Sequence, residues 1–140
     1  MENSHYIYEL ELDVRDYEID AEGIVNNANY LHYLEHTRHE FCRGAGFSFA
    51  AMREQGIDPV LAHLEISYMT PLKSGDRMRS CLKMKRKGPR FIFQQDIYRL
   101  PDGAAVVKAE VTVVALKGGR LTRGDELAEP LARYLETELI

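Results

Sequence analysis

No run of about 18 apolar residues occurs in this chain of 140, so no segment has the makings of a membrane-crossing helix. Its first residues, Met1-Glu2-Asn3-Ser4-His5-Tyr6, lack the apolar core of a signal peptide. Cysteine is scarce. Cys42 and Cys81 stand far apart with no CxxC partner, which reads as two reduced thiols and sets the expectation of a cytoplasmic protein. Positive charge is not in excess: 18 Lys and Arg face 22 Asp and Glu, a net charge of −4. That removes the bulk reason to expect nucleic acid, and the stacking aromatics of an RNA-binding motif are not recognisable. There is no Gly-rich phosphate loop, internal repeat, linker or low-complexity segment.

The 45% hydrophobic and 29% charged fractions are those of a soluble globular domain. The length fits one domain over residues 1–140, large enough for a core that needs no metal or disulfide. Ile7 to Val14 alternates and predicts a strand. Arg15 to Asn27 is a polar loop, long enough to suggest function. Asn27 is the expected cap of a helix from Ala28 to Arg43, stopped by Gly44 and Gly46. Tyr30, Leu31, Leu34, Thr37, Phe41 and Cys42 fall near the 3.6 period as its buried face. A short helix is expected over Phe49 to Glu54. Strands are expected over Val60 to Met69, Arg77 to Lys85, Phe91 to Arg99 and Ala105 to Leu116, separated by Gly- and Pro-bearing turns. Asp125 to Leu139 reads as a closing amphipathic helix. One long helix and a five-stranded antiparallel sheet bury each other best if the sheet curls around the helix, an α+β architecture. Patterning alone leaves the strand order open.

The stretch Asp20-Ala21-Glu22-Gly23-Ile24-Val25-Asn26-Asn27-Ala28-Asn29-Tyr30 resembles the signature of hotdog-fold thioesterases of the 4-hydroxybenzoyl-CoA thioesterase family. Arg15-Asp16-Tyr17-Glu18, Val25-Asn26-Asn27-Ala28 and Arg38-His39-Glu40 resemble the plant acyl-lipid thioesterases and their bacterial relatives in particular. Leu64-Glu65-Ile66-Ser67-Tyr68, Pro71-Leu72 and Ser74-Gly75-Asp76 fit the same family. The resemblance spans roughly Ile7 to Leu116. It implies a hotdog fold, hydrolysis of an acyl-CoA or acyl-carrier-protein thioester with a medium or long acyl chain, no cofactor, and a homodimer or homotetramer. Some members carry His seven residues after the Asp; this chain has Asn27 there, so no His–Asp pair is available.

Thioester hydrolysis requires a group that activates water or attacks the carbonyl, and donors for the oxyanion. The resemblance assigns the first role to Asp20, as general base or as nucleophile. The plain alternative is a turn residue before Gly23. Asp16, Glu18 and Glu22 read as solvated loop charges. The resemblance assigns the oxyanion donor to the backbone N–H of Asn27, where unpaired N–H groups and the positive end of the helix dipole gather. Gly23 lets the backbone bend toward substrate or is an ordinary turn glycine. Arg38, beside the apolar stripe, contacts substrate or pairs with an acid across an interface; the plainer reading is a salt bridge. Phe47 to Met52 is a candidate wall of the acyl tunnel.

Lys73, Arg77, Arg79, Lys83, Lys85, Arg86, Lys87 and Arg90 make a local basic stretch against the single acid Asp76. Arg86, Lys87 and Arg90 at its turn suit the phosphates of coenzyme A or of a phosphopantetheine carrier. The alternative is a charged sheet edge that deters aggregation. His32-Tyr33-Leu34-Glu35-His36 spells a metallopeptidase string, but it is short and lacks a third ligand, so no metal is expected. A non-enzymatic acyl-thioester binding or sensing module remains the second reading. It keeps the pocket and the basic turn without needing Asp20. A hotdog hydratase needs a catalytic His, and no hydratase motif surrounds His63, the only strand-region histidine.

Overall fold

The computed structural model describes residues 6–135. In chain order it contains β1 (Tyr8–Asp13), α1 (Asn27–Gly44), α2 (Phe49–Glu54), β2 (Ile57–Tyr68), β3 (Arg77–Lys87), β4 (Arg90–Leu100), β5 (Ala105–Lys117), β6 (Arg120–Leu121) and α3 (Asp125–Leu131). All strand pairs are antiparallel, in the order β1-β3-β4-β5-β2, with β6 folding back on β5. This is the hotdog architecture. Two expectations change. The sheet has six strands rather than five, because the chain past Gly118-Gly119 adds a two-residue arm too short to carry a period. The closing helix, expected to Leu139, gives way after Leu131 to a 3₁₀ turn over Ala132–Tyr134. Pro130 contributes no N–H to the helix ladder there. Residues 136–139 of that expectation lie outside the described residues.

The sheet is sided by alternation. Met78, Ser80, Leu82 and Met84 of β3, and Phe91, Phe93, Gln95 and Ile97 of β4, are all at most 4% exposed. They face α1, whose buried stripe is Tyr30, Tyr33, Leu34, Thr37, Phe41 and Cys42. Tyr33 takes the place that the periodicity gives to Leu31, which is 36% exposed. Polar side chains sit in this interface too: the Thr37 hydroxyl donates to the Tyr33 carbonyl at 2.8 Å and meets Ser80 Oγ at 2.7 Å. Truncating a core member such as Leu34 or Phe41 to Ala is expected to cost about 2–5 kcal/mol.

Both ends of α1 are fixed by local chemistry. Asn26, not Asn27, is the N-cap; its side-chain oxygen accepts from the Ala28 N–H at 2.9 Å. Val25 and Tyr30 flank that cap in one core cluster, a hydrophobic staple. At the other end Gly46 takes a left-handed φ of 86°. Gly46 N–H then reaches the Arg43 carbonyl and Phe47 N–H the Cys42 carbonyl, closing a Schellman motif.

β1 and β2 are the sheet edges. β2 is 12 residues long and pairs only with β5 among the described residues. Its Leu61 and Tyr68 are 51% and 46% exposed. No helix among the described residues is long and apolar enough to cross a membrane.

Candidate active site

Asp20 sits in a tight turn built by its own groups. Its carbonyl accepts from the Gly23 N–H at 3.0 Å, and its Oδ1 accepts from the Glu22 N–H at 2.8 Å. Its own N–H donates to the Ile24 carbonyl at 2.8 Å. Gly23 closes the turn at φ 82°, a region that a side chain would strain. Asp20 is thus a turn residue, as the plain alternative held. The turn leaves Oδ2 without a hydrogen bond among the described residues.

The return strand carries the chain from this turn directly into α1. Ile19 bridges Val25, and Asn26 caps the helix. The turn and helix start therefore line one cleft of about 420 Å³, together with Tyr30, Tyr68, Thr70 and Val106. Asn27 occupies the first helical position. Its N–H finds no acceptor among the described residues, while its carbonyl accepts from Tyr68 Oη at 3.3 Å. Leu72 clips the far wall, its N–H donating to Tyr30 Oη at 3.0 Å and its carbonyl accepting from Val25 N–H at 2.9 Å.

Glu18 overturns its reading as a solvated charge. It is 5% exposed and knots the loop to the helix. Its carboxylate accepts from Tyr33 Oη at 2.7 Å, from the Arg15 N–H at 2.9 Å and from the Arg15 guanidinium at 2.6 Å. Its carbonyl accepts from the Asn26 N–H and from Asn29 Nδ2, both at 3.0 Å. Burial alone would raise the Glu18 pKa, but the Arg15 and Tyr33 hydrogen bonds outweigh it and hold it below the usual carboxylate range. Glu18 thereby ties the loop before Asp20 to α1, a link that sequence reading missed. The available signal was the unexpected burial of Tyr33, whose hydroxyl needs a partner.

The other expected site residues are placed elsewhere. Arg38 lies three turns down α1, half-buried in an open pocket of about 170 Å³, with Glu35, His39, Phe47, Phe93, Leu61 and Val113 in its walls. The expected salt bridge is not formed among the described residues. Arg38 NH1 donates to Gln95 Oε1 at 3.0 Å, and Gln95, fully buried, is anchored by donating its Nε2 to the Leu34 carbonyl at 3.0 Å. Burial pulls the Arg38 pKa below its ordinary value. Phe47 and Phe49, from the stretch read as a candidate tunnel wall, also line this pocket.

At the basic turn, the Arg86 guanidinium is occupied by the Gly88 and Arg123 carbonyls at 2.9 and 2.7 Å and by Asp125 at 2.8 Å. It clips the β3–β4 turn to the start of α3. Lys87 and Arg90 are exposed beside it and pair opposite one another across the hairpin. The register puts Ile97 level with Val107 and Tyr68, so Arg90 lies seven strand residues away, about 23 Å within one protomer. One chain therefore brings Asp20, Gly23 and Asn27 together and leaves Arg38, Arg86, Lys87 and Arg90 outside their cleft.

Neither thiol suits nucleophilic work. Burial pushes Cys42 up to about 11 and Cys81 up to about 12. No group of three or more His, Cys, Asp or Glu among the described residues is placed to hold a metal ion.

An antiparallel sheet in this strand order, curled on one long helix, defines the class: a hotdog-fold protein. Residues 14–133 match the thioesterase-like superfamily, and the chain belongs to it. It is 38% identical over 112 residues to the Arabidopsis thaliana acyl-acyl carrier protein thioesterase ATL2, covering 78% of this chain and 58% of that protein. The chain thus spans little more than half the length of that relative. It is 30% identical over 107 residues to the long-chain acyl-CoA thioesterase FadM of Escherichia coli, covering 76% of this chain and 80% of FadM. A hypothetical protein of Aquifex aeolicus, solved by crystallography, superposes with a TM-score of 0.81 at 31% identity, covering 89% and 98% of the two chains.

Proposed function

We propose that this protein hydrolyses acyl-CoA or acyl-carrier-protein thioesters at the Asp20–Asn27 cleft. The observation that carries the reading is the pairing of a hydrogen-bond-free Oδ2 on Asp20 with an acceptor-free N–H on Asn27 in one cleft. The names of the relatives supply the substrate class. The thioester carbonyl oxygen sits at the Asn27 N–H, where the helix dipole favours the developing negative charge. Two routes fit the carboxylate. As a base, Asp20 takes a proton from water while the hydroxide adds to the carbonyl; collapse breaks the C–S bond, and the departing thiolate takes the proton back. As a nucleophile, Asp20 adds to the carbonyl and expels the thiolate; water then attacks the aspartyl carbonyl of the mixed anhydride, releasing the acylate and passing a proton to the thiolate. Single turnover in ¹⁸O-water separates them, because only the second route labels Asp20.

The active unit is at least a dimer in this reading. The support is β2, a long edge strand with unpaired backbone groups and exposed apolar side chains, the kind of edge that pairs with a second copy. Such an assembly offers Lys87 and Arg90 of one copy to the thioester carrier bound by another. Sedimentation at assay concentration tests it, and a fully active monomer refutes it.

The deciding experiment is a panel of CoA and carrier-protein thioesters assayed by free-thiol release, with Asp20→Asn beside the wild type. The amide preserves the turn, since its oxygen still accepts from the Glu22 N–H, but it neither takes a proton nor attacks well. Near-normal turnover in Asp20→Asn refutes the mechanism. A wild type that binds thioesters and hydrolyses none supports the second reading, a binding module, which the turn-building role of Asp20 Oδ1 favours.

A further inference from the structure

Two neighbouring hairpin tips at one end of the sheet carry the same charge pattern. Lys87 stands directly opposite Arg90 across Gly88-Pro89, and Lys117 directly opposite Arg120 across Gly118-Gly119. Like charges opposed on a ladder repel and weaken the hairpin. None of these four cations forms an ion pair among the described residues. All four are exposed, as is Arg123, in a chain whose net charge is −4. The acids that the register brings here are committed or turned away. Asp125 is held by Arg86 and Arg123, while Asp58 pairs with Leu116, one position off Lys117, and so points to the other face of the sheet. Charge of one sign, opposed twice and left uncompensated, costs stability that an anionic partner offsets.

The second tip is held as a rigid platform. Beyond it β6 folds back on β5, and the Thr122 N–H donates to the Ala115 carbonyl at 2.9 Å. Thr122 Oγ1 accepts from the Gly124 N–H at 2.9 Å and donates to Glu126 at 3.0 Å. Arg86 ties this arm to the first tip through the Arg123 carbonyl. Between them lies an open depression of about 630 Å³, lined by Pro89, Leu121, Thr122 and Arg123 among others. Leu121 is 58% exposed, with Arg120 beside it in the chain and Arg123 two residues on. No aromatic side chain lines the depression, so it offers a nucleotide base no stacking face. A cationic rim around an exposed Leu fits instead a protein surface that sets carboxylates round an apolar contact.

We propose that the Lys117–Arg120 tip, with Leu121 and Arg123, docks the acidic body of a carrier protein that bears the acyl thioester. This deepens the thioesterase reading and rests on it and on its dimer. Lys117 is level with Ile57, the first residue of the edge strand β2, and Tyr68, the last, lines the Asp20–Asn27 cleft. Two β2 edges paired antiparallel about a two-fold axis bring the Ile57 end of one copy beside the Tyr68 end of the other. A carrier held on the tip of one copy then presents its thioester to the cleft of the second. Lys87 and Arg90 answer to the phosphate that CoA and the carrier have in common. Lys117, Arg120 and Arg123 answer to carboxylates that only the protein carrier has.

The test offers one acyl group, dodecanoyl, on CoA and on an acidic acyl carrier protein. It measures kcat/KM for the wild type, for Lys117→Glu with Arg120→Glu, for Leu121→Ser, and for the charge-keeping pair Lys117→Arg with Arg120→Lys. The double reversal leaves the tip like-charged, so its Tm stays near wild type. It lowers kcat/KM for the carrier about tenfold or more, through KM, and holds the CoA value within about twofold. Leu121→Ser acts in the same direction, and the charge-keeping pair stays near wild type. Lys117→Glu alone faces Arg120 with opposite charge, so it raises Tm while weakening the carrier reaction, a combination that a structural role does not give. Equal losses on CoA and carrier show that the tip reads the shared phosphate, and unchanged carrier kinetics show that it reads neither. Either result overturns the proposal and leaves the thioesterase reading standing. If no thioester is cleaved, calorimetric titration with the unacylated carrier reads the surface alone. Binding lost on charge reversal then upholds the docking face while the hydrolase reading falls. Anionic phospholipid vesicles that bind through the tip when the carrier does not would overturn the proposal.

Discussion

Replacing Asn27 with proline removes one atom pair from the proposed site and almost nothing else. Asn27 is the first helical residue, behind the Asn26 cap. Proline suits that position, because its fixed φ is already helical and the N–H it lacks has no intrahelical acceptor. The residue before a proline must be extended, and Asn26 already is, at φ −61° and ψ 137°. The cap from Asn26 to the Ala28 N–H and the contact from Tyr68 Oη to the Asn27 carbonyl both survive the change. The lost side chain is exposed. Stability is therefore expected to stay within about 1 kcal/mol of wild type. In the proposed mechanism the lost N–H is the oxyanion donor, and losing one such donor costs about 3–4 kcal/mol of barrier, a fall in kcat of roughly 10²–10³-fold. KM should change little if the bond strengthens only as charge develops. Asn27→Ala, which keeps the N–H, is the control and should retain most of kcat. Steady-state kinetics with thermal melts of both variants decide the matter. A folded Asn27→Pro protein with wild-type kcat refutes the oxyanion assignment.

What the sequence made legible was whatever depended on a period or a punctuating glycine. The α1 boundaries shift by one residue, and α2 falls where it was expected, because Gly44, Gly46, Ser48 and Gly56 frame them. The Asn26-Asn27 pair shows the limit: either residue can cap, and choosing needs the φ,ψ values of the chain entering from Val25. Strand order was not legible, since β2 joins β5 rather than its sequence neighbour β3 through contacts that no local pattern encodes. Asp20 and Asn27 were singled out through a motif, and a motif marks residues close in sequence. Gln95 under Arg38, and Glu18 under Tyr33, were missed because a polar residue paired across 57 or 15 positions looks like any other polar residue in a string. The Arg86 reading fell short for the same reason: its partners Arg123 and Asp125 arrive from the far side of β6.

The clipped turn yields a discriminating prediction. Arg86→Met should lower stability modestly in urea, by about 0.5–1 kcal/mol, because it removes the hydrogen bonds to the Gly88 and Arg123 carbonyls, which are exposed and return to water. Lys87→Glu with Arg90→Glu should spare stability and raise KM for CoA substrates over short pantetheine thioesters, and equal KM changes for both would remove the phosphate role. Gly124→Ala should destabilise by about 1–3 kcal/mol, since φ is 87° and the added Cβ would lie 2.9 Å from Phe91 Cε1, an aromatic atom held in the core. A Tm unchanged by Gly124→Ala would show that the loop yields freely. The last prediction concerns Glu18. Glu18→Ala strands the Tyr33 hydroxyl, which sits on a side chain only 2% exposed, at about 1–3 kcal/mol, while the exposed Arg15 guanidinium returns to water at little cost. With the cavity left behind, about 2–4 kcal/mol is expected in total, a Tm drop on the order of 10 °C. Because its folded pKa is depressed, ionised Glu18 stabilises the fold above the ordinary Glu value of about 4.3. That contribution is lost as pH falls through the lowered folded value, so the Glu18→Gln variant should lose less stability than wild type on acidification over this window. In the same variant kcat should fall further than KM rises, because the loop that aims Asp20 loosens while the binding walls stay. Parallel acid-loss curves for wild type and Glu18→Gln would refute the buried charge, and a Glu18→Gln variant with unchanged kcat would refute its hold on Asp20.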